Sequence, residues 1–183
     1  MSARTQCADT RSYKVTGDVH LLLENSSGQV LFGLRQNTRI GDGAYHLPAG
    51  HVEEGESVID TVIAEAKEEL GITVDPDDVE FAHVMHTSLA GGRASFVFRI
   101  RRWKGIPHNR EPHKCRELRW FSLKALPKNM ISEYREALKH IAAGNPFSVC
   151  GWDEEVCGRD EEESLDVVVR QLLDRLFSDD QPA

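Results

Sequence analysis

Long apolar runs are missing from this sequence: no stretch approaches the length needed to span a bilayer, and Met1 to Tyr13 is polar and mixed, unlike a secretory signal. A soluble cytoplasmic protein is expected. Cysteine is also sparse, and Cys7, Cys115, Cys150 and Cys157 form no CxxC pair and keep no zinc-like spacing to histidine. Four free thiols and no structural zinc are expected. Excess basic charge is absent too. A net charge of -8 argues against duplex nucleic acid as a partner, because such binding depends on Lys and Arg neutralising many phosphates. It does not argue against a small phosphorylated ligand, whose charge can be met locally by bound cations. Finally, 183 residues of which 40% are hydrophobic supply one well-packed core and too little chain for two ordinary domains.

What is present begins with two short apolar segments, Asp18 to Glu24 and Gln29 to Leu34, around the turn residues Asn25, Ser26, Ser27 and Gly28. This pattern predicts a hairpin. Asn37 to Ala44 reads as a loop, Tyr45 to Leu47 as extended chain before Pro48, and Ala49 to Gly55 as a long glycine-bearing loop. From Ser57 the period changes. Ile59, Val62, Ile63, Ala66 and Leu70 recur at three- and four-residue steps, Ser57 and Asp60 resemble a capping box, and Gly71 suits the left-handed position after the last turn.

Val79 to Thr87 and Ala94 to Trp103 read as strands, Leu118 to Phe121 as a short strand, and Ile131 to Ala143 as a helix. This order predicts an α/β sandwich around a mixed β-sheet. The expected division is an N-terminal segment 1–17, a domain over 18–145, and a C-terminal region 146–183. In that last region an acidic linker precedes a helical stripe of Leu165, Val168, Val169, Leu172, Leu173 and Leu176. The stripe is expected to pack on its own domain or on a second copy, which would make a homodimer.

Chemistry concentrates in Gly50 to Ile72, reading GHVEEGESVIDTVIAEAKEELGI. Glu65, Glu68 and Glu69 stand at i, i+3 and i+4, so they project from one side of the helix, away from its apolar face. Like charges at that spacing repel unless a cation or a salt-bridge partner sits among them, and hard divalent cations prefer such oxygen ligands. Taken alone, the three also read as a solvated acidic face.

The loop in front changes the balance. Gly50 lies six residues before Glu56, and Glu56 nine before Glu65; with Glu68, Glu69, Gly71 and Ile72 this framework resembles the Nudix box. The resemblance covers about Asp18 to Ala143 and implies a Nudix-type α/β/α sandwich. It also implies a metal-dependent hydrolase that splits a diphosphate bond in a nucleoside triphosphate or another nucleoside-diphosphate-linked substrate. Mg²⁺ is the implied ion, with Mn²⁺ as an alternative. Glu68 and Glu69 would be metal ligands, helped by the backbone of Gly50 or Ala49, and Glu65 a further ligand or the base. One position departs: where the family carries arginine this chain has Ala64, so Glu65 and Glu56 lose their usual cationic partner.

Beyond the box, Arg102, Trp103, Gly105, Pro107 and Glu111 resemble a segment of the MutT-like branch whose glutamate reaches back to the metals, with Glu117 as the rival. In that branch's pattern Arg35 would contact phosphate, and Asn129 a purine base, an amide being able to donate and accept together. His83 and His86 read as structural. The alternatives are a nucleotide-binding or regulatory module of the same fold with little turnover, which Ala64 keeps open, and a hydrolase of a prenyl or sugar diphosphate.

Overall fold

The computed structural model describes residues 14–88 and 91–152. Its strands are β1 (Thr16–Leu23), β2 (Gln29–Arg35), β3 (Tyr45–His46), β4 (Ala49–His51), β5 (Val79–Thr87), β6 (Arg93–Ile100), β7 (Cys115–Ser122) and β8 (Phe147–Cys150). Its α-helices are α1 (Val58–Leu70) and α2 (Ser132–Ala142), with a short 3-10 turn at Pro76–Asp78. Five strands form a mixed sheet in the order β4-β1-β6-β5-β8, and three form a second sheet in the order β3-β2-β7. β1 runs parallel to β6 and β5 parallel to β8, while the remaining pairs are antiparallel. α1 packs on β1 and β4, and α2 on β5 and β8. The fold is the α/β/α sandwich that the resemblance implies, built on the mixed sheet that the pattern of elements predicts.

The expected hairpin forms only at its turn. Asn25 Oδ1 accepts from the amides of Ser27 and Gln29, and Glu24 pairs with Val30, but beyond that point β1 enters the large sheet and β2 the small one. The reason lies in the unbroken apolar runs. Val19, Leu21 and Leu23 face the core under α1 while Leu22 faces the core under α2, and in β2 Leu31 opposes Val30 and Phe32 in the same way. Strands buried on both faces lack polar alternation and belong inside a layered structure, not in a solvated hairpin.

Three further expectations change. Ala49–His51, read as loop, pairs with β1 through Val19–Gly50 and its neighbours. β8 was not expected; it adds a short parallel edge to β5, with Ser148 and Cys150 buried and Phe147 and Val149 exposed. Cys115 is a free thiol but Cys150 is disulfide-bonded, which corrects the expectation of four free thiols. Linear spacing does not reveal which sulfurs a fold brings into bonding reach. The stripe at 165–176 and most of the N-terminal segment lie outside the described residues. Among the described residues no helix is long and apolar enough to cross a membrane.

Candidate active site

Helix α1 carries the carboxylates, and its ends are fixed as the sequence predicts. Ser57 Oγ accepts from the Asp60 amide and Asp60 Oδ2 from the Ser57 amide, each at 3.2 Å, closing the capping box. At the other end Gly71 is left-handed (φ 67), and the amides of Gly71 and Ile72 bond the carbonyls of Lys67 and Ala66. Val62, Ala66 and Leu70 are fully buried against the sheet. Burial of Val62 and Leu70 contributes about 1.5–3 kcal/mol apiece, which holds the opposite flank of the helix in a fixed orientation. On that flank Glu65 and Glu69 are partly enclosed and Glu68 is exposed.

Glu65 lies directly over Gly50 of β4. A β-carbon at Gly50 would sit 1.7 Å from Glu65 Oε1 and 2.1 Å from its Cδ, so Glu65 keeps this place only because residue 50 has no side chain. Next to it, Glu69 Oε2 accepts a hydrogen bond from the Ala49 amide at 3.2 Å. Gly50, Ala49, Glu65 and Glu69 are thus one packed unit. Glu56, at the end of the preceding loop, accepts from Thr61 Oγ1 at 3.2 Å, which gives it a neutral partner in place of a cation. Among the described residues no Lys, Arg or His forms an ion pair with Glu56, Glu65, Glu68 or Glu69.

Glu111 joins this patch because the segment after β6 caps α1. The amides of His108 and Arg110 donate to the carbonyls of Leu70 and Glu69, each at 3.0 Å, and the Arg110 guanidinium donates to Lys67 O at 2.8 Å. These bonds satisfy acceptors that a helix C-terminus leaves open. The His108 ring lies so close to Gly71 that a β-carbon there would be 2.2 Å from its Cε1. A turn then sets Lys114 three residues after Glu111, with Nζ 2.7 Å from Glu111 Oε1. Glu117, the rival, is elsewhere: its carboxylate accepts from the Tyr45 hydroxyl.

The electrostatics record the crowding. Burial, then the charges of Glu65 and Glu111, pushes Glu69 up to about 8, against the opposing effects of the Ala49 amide and Lys114. Glu65 is also raised, by burial first and then by Glu68 and Glu111. Among the described residues no three His, Cys, Asp or Glu side chains already stand close enough together to hold an ion. The donor set nevertheless fits a hard divalent cation chemically: the groups are carboxylate oxygens whose mutual repulsion a cation would relieve.

Two cavities meet beside the patch. One, of about 230 Å³, is lined by Glu69, Glu111, Lys114, Asn109 and His46. The other, of about 220 Å³, is lined by the apolar Met85, Val97, Ala137 and Ile131, with Tyr134. Arg35, Ala49 and His51 border both. The floor of the apolar cavity carries a buried network that sequence reasoning missed. Asp18 accepts from His20 Nε2 at 2.9 Å and from Arg93 at 2.7 Å, and the same Arg93 nitrogen lies 3.1 Å from His51 Nε2. Burial pushes Asp18 up, but its bonds from His20, Ser95 and Arg93 outweigh this and hold it at about 2. The available signal was Asp18 and His20 at alternate positions of an otherwise apolar strand, which puts them on one face. Arg93, 75 residues away, gave none.

The remaining sequence candidates fall as follows. Arg35 anchors its Nε on the Ile40 carbonyl at 2.9 Å and borders both cavities. Asn129 lines neither cavity; its amide donates to Gly43 O at 2.9 Å and so holds the loop next to Arg35. His83 is fully buried between Asn145 O and Ser148 Oγ, a structural arrangement, and the His86 ring lies against Trp152.

Comparison with known proteins bears on this geometry. Residues 15–141 match the model of the NUDIX domain. The NAD-capped RNA hydrolase NudC of Stutzerimonas stutzeri (strain A1501) is 30% identical over 104 residues, which are 51% of this chain and 33% of that protein. The chain therefore aligns with only about a third of that relative's length. Among solved structures, a MutT NUDIX hydrolase from Burkholderia pseudomallei superposes with a TM-score of 0.62 at 24% identity, covering 68% of this chain and 95% of that one. A MutT protein from Methanosarcina mazei Go1 gives 0.61 at 23% identity, covering 72% and 95%. At these identities the likeness is one of fold.

Proposed function

Because the chain belongs to the NUDIX hydrolase family, we propose that it hydrolyses a diphosphate bond in a nucleoside triphosphate or another nucleoside-diphosphate-linked substrate, using divalent metal. The observation that carries this reading is the packing of Glu65 on Gly50 and of Glu69 on the Ala49 amide, at the border of two cavities. Glu68, Glu69 and Glu111 would hold Mg²⁺ or Mn²⁺, with Glu65 and the backbone of Gly50 beside them. The bound metal supplies charge stabilisation at the phosphates and makes the attacking water more acidic.

The chain's own groups account for the rest. Glu65 is partly enclosed and its pKa is raised by burial and by Glu68, which suits a carboxylate that serves as ligand or accepts the proton of the water. Arg35, fixed by the Ile40 carbonyl, stands between the acidic and the apolar cavity. There a guanidinium can bind a phosphate with planar, paired donors. The apolar cavity then receives the organic part of the substrate, over a floor whose polar groups Asp18, His20 and Arg93 are already bonded to one another. Asn129 enters this reading through the Gly43 loop that it holds.

The lack of a cationic partner for Glu56 and Glu65 among the described residues favours one second reading, a nucleotide-binding module with little turnover. A panel of nucleotides, nucleotide sugars and dinucleoside polyphosphates, incubated with and without Mg²⁺, separates the two. Metal-dependent release of phosphate, diphosphate or a nucleoside monophosphate is expected for at least one nucleotide. Binding without any product establishes the module instead.

A further inference from the structure

Lys114 is the one basic side chain bonded to any member of the carboxylate patch among the described residues, and nothing in the box motif points to it. It comes from the loop, 50 residues beyond Ala64, the position at which the family's motif carries arginine. Its ammonium donates to Glu111 Oε1 at 2.7 Å and lines the same cavity as Glu69. Glu111, which it bonds, and Glu69 thus share one cavity with its ammonium. The turn that sets it there is backbone-fixed: the amides of Lys114 and Cys115 both donate to Glu111 O at 2.9 Å.

We propose that Lys114 is the chain's built-in counter-cation for the carboxylate patch around Glu69 and Glu111, competing with the divalent metal for its charge and so setting metal affinity. This rests on the metal-dependent reading above. The charge balance is simple. An ammonium bonded to one donor of the patch lowers the negative potential available to an incoming ion and repels that ion directly. As a scale, a unit positive charge about 6 Å from any divalent ion in a water-like dielectric weakens that ion's binding about tenfold. Lys114 thereby trades metal affinity for a patch that is less self-repelling.

The test is Mn²⁺ binding to the substrate-free full chain, followed by calorimetry or electron paramagnetic resonance, for wild type, Lys114→Gln and Lys114→Arg. Gln keeps a donor for Glu111 and removes the charge; Arg keeps the charge. Lys114→Gln is expected to bind Mn²⁺ about tenfold more tightly, with Lys114→Arg within about twofold of wild type. High salt should narrow the gap, because these groups are partly exposed and screenable. In EDTA, Lys114→Gln should melt below wild type, since the carboxylates then repel one another unrelieved. Equal or weaker Mn²⁺ binding by Lys114→Gln, with wild-type binding intact, overturns the proposal alone. Absence of Mn²⁺ binding in all three chains overturns both the proposal and the reading on which it rests.

Discussion

Gly50→Ala offers the most direct attack on the site, because it adds a single methyl group. The new carbon would lie 1.7 Å from Glu65 Oε1, where an ordinary contact begins near 3.4 Å, so the carboxylate must retreat by about 1.7 Å. Gly50 is not among the glycines with positive φ, so its backbone accepts alanine, and exchanging glycine for alanine in a strand contributes about 0.5–1 kcal/mol in favour of the fold. The clash can be relieved by a mobile carboxylate swinging outward. Stability and chemistry should therefore separate. Misplacing a reacting group by about 1 Å costs on the order of a hundredfold in rate, so kcat for the best nucleotide of the panel should fall about a hundredfold. The thermal midpoint and circular dichroism of the variant should match wild type. A folded Gly50→Ala protein that keeps more than about a third of the wild-type kcat would refute the claim that Glu65 of α1 works from its place against Gly50.

Two other tests address single groups. Glu68→Gln should lower turnover at least about tenfold, the usual scale for changes around a metal site, and an unaltered rate would remove Glu68 from the ligand set. His46 is held neutral, its pKa lowered to about 3 by burial first and then by the charges of Arg35 and His20. Above pH 6.5 the folded and unfolded forms are both neutral; below it only the unfolded chain takes the proton, so stability falls with pH until about 3. Between pH 7 and pH 5 this amounts to about 2 kcal/mol. Glu69, raised to about 8, works in the opposite sense between pH 8 and 4.5, so the comparison must be between variants. Urea titrations should show His46→Gln losing about 2 kcal/mol less than wild type over that interval, and parallel behaviour of the two would disprove the assignment.

How far the sequence speaks for itself depends on how local each interaction is. Helix α1 was legible throughout, since its apolar period, its Ser57–Asp60 cap and Gly71 all act within a few residues. The carboxylate flank followed from the same period. Strands β1 and β2 were legible as strands but not as members of separate sheets. Their continuous apolar runs, read beside a turn, resemble a hairpin, and only burial on two faces divides them. β8 has only four residues, and its short alternation places the apolar Phe147 and Val149 outward, so it gave no usable signal. Glu111 could be named from resemblance, but its route to the patch runs through bonds from His108 and Arg110 to the end of α1, which no spacing encodes. The Asp18–His20–Arg93 network and Lys114 depend on pairs brought together by the fold, and so appear only in three dimensions.

The common border of Arg35, Ala49 and His51 has a bearing on how such a protein can diversify. On the proposed reading, cutting and recognition would occupy adjoining cavities, and the walls of the second, Met85, Val97 and Ala137, belong to β5, β6 and α2 instead of to the acidic helix. If that reading holds, exchanges along those walls would change which substrate fits while leaving the carboxylate helix as it is.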